Sequence, residues 1–197
     1  YEIGSGLVGS EMCIRDKSSE VSNKIAAGEV VERPSSVIKE LVENSIDAGA
    51  TLISVEIKKG GSIYMRVSDN GSGMSEEDAK ICFLRHATSK VQTSSDLDAI
   101  YTLGFRGEAL SSIGAVAEVE LFTKRHEDET GVCVTCKGGE ILSSDEAGIP
   151  DGTSILVENL FFNTPARRKF LKKDATEAGY ITAVSYTHLR AHETGAY

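Results

Sequence analysis

The sequence predicts a two-layer α/β sandwich, with helices on one face of a mixed, largely antiparallel sheet. Three observations support this fold class. The periodic segments occur in the order helix, hairpin, helix, helix and then several strands. Strict alternation of apolar and polar residues marks half-buried strands, whereas a 3.6-residue period marks amphipathic helices. Apolar residues make up 40% of the 197 residues, which is enough for one globular domain to bury a core.

Two helices are expected near the start of the periodic region. The first is short and covers residues 21–31. The second opens at Pro34, since proline suits the first turn of a helix, and runs to about Asp47. Gly49 then stops this helix.

A β-hairpin follows the second helix. Residues 51–58 alternate strictly, Gly60 and Gly61 supply the turn, and residues 62–68 alternate again. One face of the hairpin is therefore apolar. Its inward-facing residues are Ile53, Val55, Ile57, Ile63, Met65 and Val67.

Loops, helices and strands make up the rest of the chain. A glycine loop at residues 69–74 leads into a helix capped by Ser75 and Asp78. A long connection over residues 89–107 leads to a helix at about 107–115. Strands are expected near residues 117–125, 131–137 and 152–160, and a last, basic helix begins near Pro165.

The charge and hydropathy of the chain narrow the classes of partner. The formal net charge is −9, so the field of the whole chain repels phosphate and nucleic-acid binding needs a local basic patch. No apolar run approaches the ~20 residues that span a bilayer. A membrane protein is therefore not expected.

The cysteines favour a structural role. Cys133 and Cys136 form C-V-T-C, which has the spacing of half a metal site. The segment reads as a strand, however, and residues three apart in a strand point to opposite faces. A second pair that would complete a tetrahedral site is missing from the sequence. We therefore expect structural thiols and an intracellular protein.

The two ends differ from the rest of the chain. Residues 1–16 and 185–197 have neither helical nor strand periodicity, and both resemble translated adaptor sequence. We expect non-native tails there, with one domain over residues 17–184. The alternative is a pair of natural disordered tails.

One face of the second helix carries a candidate chemistry. A step of 100° per residue places Glu40, Glu43, Asn44 and Asp47 on one stripe, opposite the apolar residues. We expect these acids to lack a lysine or arginine partner one turn away, so that they repel one another. A carboxylate base one turn from an amide oxygen suits water activation beside a magnesium ligand. The alternative is an ordinary solvated helix face.

Two glycine loops are candidate ligand contacts. In D-N-G-S-G, Asp69 can accept a hydrogen bond from an exocyclic amine, and Gly71 and Gly73 allow close approach of a flat ligand. In L-G-F-R-G-E-A-L, residues 103–110, free amides at a helix N-terminus suit a phosphate chain. A plain turn and a glycine-broken loop are the respective alternatives. Neither loop has the spacing of a Walker or dinucleotide motif.

Several blocks of sequence resemble the GHKL ATPases, and within them the MutL group. These blocks are A-A-G-E-V-V-E-R-P (26–34), K-E-L-V-E-N-S-I-D-A-G-A (39–50), R-H-A-T-S-K (85–90), G-F-R-G-E-A-L (104–110) and N-T-P-A-R-R-K-F-L (163–171). The resemblance covers about residues 17–184. It implies the GHKL (Bergerat) ATP-binding fold, with ATP and Mg²⁺ as ligands.

The resemblance also implies a role for each matching residue. Glu40 would be the general base, Asn44 the Mg²⁺ ligand, and Asp69 the acceptor of the adenine amine, with Thr153 acting through water. The remaining nucleotide contacts would be Asp47, Ala48, Gly71, Gly73, Met74, Thr88, Ser89, Lys90, Leu103, Gly104, Phe105, Arg106, Gly107, Glu108, Ala109 and Leu110.

A basic run closes the periodic region. Arg167, Arg168 and Lys169 precede Phe170 and Leu171, which are expected to pack inward, and further lysines follow at positions 172 and 173. In the MutL group such a run implies sequence-independent contact with the DNA backbone. The alternative is a solvated basic helix.

The resemblance finally implies a biological role. In the MutL group, ATP binding and slow hydrolysis act as a conformational switch in DNA mismatch repair, with a MutS-type recognition protein and downstream enzymes as partners. The family homodimerises on binding ATP, and a second domain supplies a lysine to the γ-phosphate. We expect a bacterial cytoplasmic, nucleoid-associated protein. The alternative is a catalytically silent nucleotide-binding or scaffold fragment.

Overall fold

The predicted α/β sandwich is confirmed by a computed structural model, which describes residues 27–28, 30–84 and 107–193 and the side chains among these up to residue 186. Six strands form one sheet in the order β1-β2-β6-β3-β4-β5. Every pairing between described neighbours is antiparallel, so this part of the sheet is not mixed. The strands are β1 (Ile53–Lys58), β2 (Tyr64–Asp69), β3 (Glu118–Lys124), β4 (Gly131–Lys137), β5 (Glu140–Ala147) and β6 (Gly152–Glu158).

The fifth strand is absent from the sequence-based prediction. Its residues E-I-L-S-S-D-E-A have no alternating apolar pattern, because β5 lies at the edge of the sheet and none of its residues is buried. Gly138 and Gly139, both with positive φ, form the turn from β4. This glycine pair is the signal that identifies a further hairpin.

The described helices are α1 (Pro34–Asp47), α2 (Glu76–Ile81), α3 (Ala109–Val116), α4 (Pro165–Phe170) and α5 (Asp174–Glu193). Four of them lie at the predicted places, and the fifth, α5, is a further helix that the sequence analysis does not predict. Of the predicted helix at residues 21–31, only part lies in the described residues, where positions 27–28 and 30 are helical. Helix α5 continues through Val184, where the sequence analysis places a domain boundary. The position of that boundary stays a prediction. None of the described helices is long and apolar enough to cross a membrane.

The core lies between the helices and one face of the sheet. The buried face of α1 belongs to one core cluster with inward-facing strand residues, which include Met65, Val67, Leu121 and Val157. Among the inward-facing residues predicted for the hairpin, one is wrong. Ile63 is 43% exposed because it lies in the turn before β2 begins, where strand alternation does not apply.

Gly152 holds β6 close to the end of β2. Its φ is +108°, and a Cβ there would collide with the backbone of Asp69 and lie 2.9 Å from the Cα of Asn70. Only glycine combines that conformation with that approach. The first residue of β6 therefore fixes the position of Asp69.

Replacing Gly152 with alanine should destabilise the fold by at least about 2 kcal/mol, because strained φ and backbone overlap both oppose the folded state. Urea unfolding measures this loss. Gly148→Ala is the matched control, since a Cβ there meets nothing within 4 Å. The control should stay within about 0.5 kcal/mol of the parent. Equal stability of the two variants would contradict the close approach at Gly152.

Candidate functional site

Helix α1 presents the predicted catalytic pair. Glu40 and Asn44 lie one turn apart and are both half-buried, on the side away from the buried Val37, Ile38 and Leu41. The Glu40 side chain is 27% exposed, so it contacts both protein and solvent. The helix therefore holds a carboxylate and an amide on one accessible face, as predicted.

The expectation that the acids of α1 lack a basic partner is wrong. Lys39 lies four residues before Glu43, with its Nζ 3.2 Å from Glu43 Oε1 and 3.7 Å from Glu40 Oε1. Glu43 is itself buried, so it belongs less to the open face than the helical wheel predicts. Mutual repulsion among these acids is therefore no evidence that this face of α1 is a functional site. The evidence comes from the residues that pack beside α1.

Asp69, the last residue of β2, is held on both carboxylate oxygens. Oδ2 accepts a hydrogen bond of 2.7 Å from Ser45 Oγ, and Oδ1 accepts one of 2.9 Å from the Gly71 amide. Ser45 lies on α1 and is 3% exposed. These bonds join the candidate catalytic helix to the candidate adenine-binding residue. The sequence analysis missed Ser45, although its place one residue after Asn44 on α1 was visible.

The glycine loop fits closely against α1 and the sheet. A Cβ on Gly71 would lie 2.8 Å from the Cβ of Ala48, and the Ser72 amide donates to the Ala48 carbonyl at 2.9 Å. Gly73 has φ +68°, and a Cβ there would collide with the carbonyl of Lys124. The loop is therefore held closely against the end of α1 and the end of β3.

A row of side chains extends from Asp69 across the sheet. Thr153 on β6 lies opposite Asp69, and Thr123 on β3 lies opposite Thr153. The two threonine hydroxyls are 3.0 Å apart, and Thr123 Oγ1 also accepts from the Met74 amide at 2.9 Å. Thr123 is fully buried. Sequence reasoning missed it, although a polar residue at an inward strand position is a detectable signal.

The charged groups beside Gly73 form a small network. The Lys124 ammonium lies 2.5 Å from Asp151 Oδ1, and His126 Nδ1 lies 2.8 Å from Oδ2. Hydrogen bonds from Lys124 and then His126 hold the pKa of Asp151 below its ordinary value. The network therefore links Lys124, which Gly73 approaches closely, to Asp151, which directly precedes Gly152.

The second glycine loop is described only at its end. Gly107 has φ +61°, Glu108 precedes α3, and Ala109 and Leu110 form the first turn of that helix. The Glu108 carbonyl accepts hydrogen bonds from both Ser111 Oγ and the Ser112 amide. Seven other predicted contacts lie outside the described residues: Thr88, Ser89, Lys90, Leu103, Gly104, Phe105 and Arg106.

The described cysteines have the character of structural thiols. Burial raises the pKa of Cys82 to about 12 and that of Cys136 to about 11. Cys133 faces the other side of β4 and is half-buried, and burial raises its pKa too. Thiols with raised pKa values are poor metal ligands and poor nucleophiles at neutral pH. Within the described residues, no group of His, Cys, Asp and Glu has the geometry of a metal site.

The basic run divides into one half-buried and several exposed residues. Arg168 and Lys169 on α4 are exposed, whereas Arg167 is half-buried. Phe170, predicted to pack inward, is 81% exposed, because α4 ends there and turns its last residue outward. Leu171 packs against the core as predicted.

One cavity of about 550 Å³ lies between the start of α2 and the turn that joins β3 to β4. Its lining includes Glu76, Glu77, Asp128 and Glu129. Of the predicted nucleotide contacts, its lining contains Met74 alone. An acidic lining repels phosphate groups, so this cavity does not suit a nucleotide.

A comparison with protein families identifies the class of protein to which this fold belongs. The model for "Histidine kinase-, DNA gyrase B-, and HSP90-like ATPase" matches residues 32–164, which include Glu40, Asn44, Asp69 and Thr153. The chain belongs to this ATPase family.

Within the family, the chain is similar to MutL proteins. It is 52% identical to the DNA mismatch repair protein MutL of Acidobacterium capsulatum over 91% of its own length. The MutL of Caldanaerobacter subterraneus subsp. tengcongensis is 58% identical over 82% of this chain. The chain spans about a quarter of these relatives, 27% and 28% of their respective lengths.

Solved structures show the same relationship. The MutL ATPase domain of Aquifex aeolicus complexed with ADP is 36% identical, with a TM-score of 0.60. The match covers 79% of this chain and 54% of that one. A structure described as the N terminal domain of a DNA repair protein is 33% identical, with a TM-score of 0.68. It covers 82% of this chain and 46% of its own.

Replacing Ser45 with alanine should cost about 2 kcal/mol of unfolding free energy, because a partly buried hydrogen bond to a carboxylate is lost. Ser62→Ala is the matched control. Its hydroxyl makes an exposed bond of 2.8 Å to the Lys59 carbonyl, and its loss should cost about 0.5 kcal/mol. Chemical unfolding of both variants measures the difference. A Ser45 variant as stable as the control would contradict the role of this hydrogen bond.

Proposed function

We propose that the chain binds ATP between α1 and the glycine loop after β2, as the ATPase unit of a DNA mismatch repair protein of the MutL type. The observation that carries this proposal is the hydrogen bond from Ser45 to Asp69. It joins the helix bearing Glu40 and Asn44 to a carboxylate at the end of a strand. The MutL relatives support the mismatch-repair context.

The adenine end of the site has the required acceptor. Because Ser45 and Gly71 each occupy one lone-pair direction of Asp69, the carboxylate is fixed in orientation. Each carboxylate oxygen has a second lone pair, which can accept from an adenine amine. Gly71 and Gly73 let the loop pack closely against Ala48 and the Lys124 carbonyl, which holds the backbone beside Asp69 in place. Thr153 lies opposite Asp69 and can bind the same base through water.

The phosphate end has a magnesium ligand and a base. The amide oxygen of Asn44 is a hard donor on a half-buried face, and Mg²⁺ takes few protein ligands when phosphates supply the others. Mg²⁺ held there would neutralise phosphate charge. Glu40 accepts a proton from the attacking water while the oxygen of that water bonds to the γ-phosphorus. The bridging P–O bond then breaks, releasing ADP and phosphate.

The two residues of α1 should separate in their effects. Glu40→Ala should reduce phosphate release at least about 100-fold, the usual contribution of a general base, while binding of a nonhydrolysable ATP analogue persists. Asn44→Ala should weaken magnesium-dependent binding of the analogue. Steady-state phosphate release and calorimetric titration measure these effects.

Glu77→Ala is the control for the loss of a carboxylate, because Glu77 is an exposed acid on α2. It should change neither measurement. If the parent chain binds the analogue but releases no phosphate, the alternative of a catalytically silent nucleotide-binding fragment is correct.

The exposed basic residues support a second part of the proposal, contact with the DNA backbone. Arg168 and Lys169 are exposed on α4, and Lys172 and Lys173 are exposed just after it. These four cations oppose the net charge of −9 locally. Such a patch binds phosphates without reading sequence. The sequence-based prediction also includes Arg167, which is half-buried.

The similarity to MutL proteins extends the proposal to the partners of the protein and to its cellular location. The protein acts with a MutS-type mismatch-recognition protein and downstream repair enzymes, and it homodimerises when ATP binds. It works in the bacterial cytoplasm at the nucleoid. The support for these assignments is the similarity of the chain to MutL proteins.

Reversing the charge of Arg168 should weaken DNA binding and reduce its dependence on salt. Each phosphate contact contributes ~0.9 to the log–log slope, so Arg168→Glu should lower that slope by about that amount. Fluorescence anisotropy across a salt series measures it. Lys80→Glu makes the same charge change on α2, where Lys80 pairs with Glu76 at 2.6 Å. A slope reduced equally by both variants would indicate a general charge effect and contradict a local patch.

A further inference from the structure

Arg167 points into the protein while its neighbours face solvent. Its guanidinium lies against the backbone of Gly28, where an added Cβ would overlap Nη2 and lie 2.8 Å from Nη1. The Nη1 atom is buried and has no hydrogen-bond partner within the described part of the chain. Arg168 and Lys169 are exposed. One residue of the basic run therefore contacts the segment that precedes α1.

That segment leads directly into the nucleotide helix. Ala27 and Val31 are both fully buried in the core, and the Val31 amide donates to the Ala27 carbonyl at 2.8 Å. Three residues after Val31, Pro34 begins α1. The segment is thus held by core packing on one side and by the Arg167 guanidinium at Gly28. Its position sets where α1 starts.

We propose that Arg167 is a positioning residue for the nucleotide site. It fixes the backbone at Gly28 and so the entry to α1, the helix that carries Glu40 and Asn44. DNA contact belongs to Arg168 and Lys169 instead. This inference rests on the proposed nucleotide-binding function.

The chemistry of arginine suits this role better than that of lysine. A guanidinium is planar and more weakly hydrated than an ammonium, so it packs flat against a peptide unit. Glycine at position 28 is what leaves room for it. A buried donor without a hydrogen-bond partner, as Nη1 is among the described residues, is costly and needs a structural reason to persist. Its tight packing on the segment before α1 supplies that reason.

A double-mutant cycle between Arg167 and Gly28 tests the contact. Arg167→Ala and Gly28→Ala should each speed hydrogen exchange at the Val31 amide about tenfold, the scale of coupling between contacting residues. Each should also weaken binding of a magnesium-bound nonhydrolysable ATP analogue. The double variant should be no worse than either single one, because both remove the same interaction.

The direction of the Gly28 effect is itself diagnostic. Alanine favours helix more than glycine does, so a purely local effect would slow exchange at Val31. The proposal predicts faster exchange, because the new Cβ displaces the guanidinium. Arg167→Lys should not restore slow exchange, since an ammonium cannot pack in the same plane. Gly28→Ala also tests the contact if Arg167→Ala does not fold.

Arg168→Ala is the matched control. It should leave Val31 exchange and nucleotide affinity unchanged and lower the salt slope of DNA binding, whereas Arg167→Ala should do the reverse. Arg167→Ala that lowers the salt slope with no change in Val31 exchange overturns the proposal, as do additive effects in the cycle. If the parent chain binds no ATP analogue, the proposed function fails, and the exchange cycle alone decides whether Arg167 holds the segment.

Discussion

The hydrogen bond from Ser45 to Asp69 is the interaction on which the candidate site depends. It joins the helix layer to the sheet at the end of β2, with an oxygen-to-oxygen distance of 2.7 Å and a donor that is 3% exposed. A partly buried bond of this kind constrains both the rotation of α1 and the orientation of the carboxylate. Glu40 and Asn44 take their positions relative to Asp69 from that rotation. Without it, a helix face and a glycine loop would be two separate features.

The antiparallel register supplies the rest of the platform. Asp69, Thr153 and Thr123 come from three neighbouring strands and lie in one row. Glycines at the loop and at the start of β6 let backbone segments approach more closely than a Cβ permits. The result is a rigid surface that carries hydrogen-bonding groups and few bulky side chains. Such a preformed surface reduces the entropy lost when a ligand binds.

Sequence patterns predicted α1, most strands and the residues that belong to the family motifs. They succeeded where one period dominates, as in residues 34–47, because burial of one helix face determines the pattern. They failed for β5, whose exposed edge position leaves little apolar pattern. They also missed Ser45 and Thr123, because the sequence shows a polar residue at each position but not the distant residue that its hydroxyl bonds to. Phe170 was misplaced since a helix of six residues ends at it.

The structure of the chain bound to magnesium and a nonhydrolysable ATP analogue would test the central claim most directly. The account predicts the adenine amine within about 3.2 Å of an Asp69 carboxylate oxygen. It also predicts the phosphates on the side of Glu40 and Asn44, with the metal bound to the Asn44 amide oxygen. A nucleotide found in the acidic cavity beside Glu76 and Glu77, or an adenine that does not contact Asp69, would contradict it.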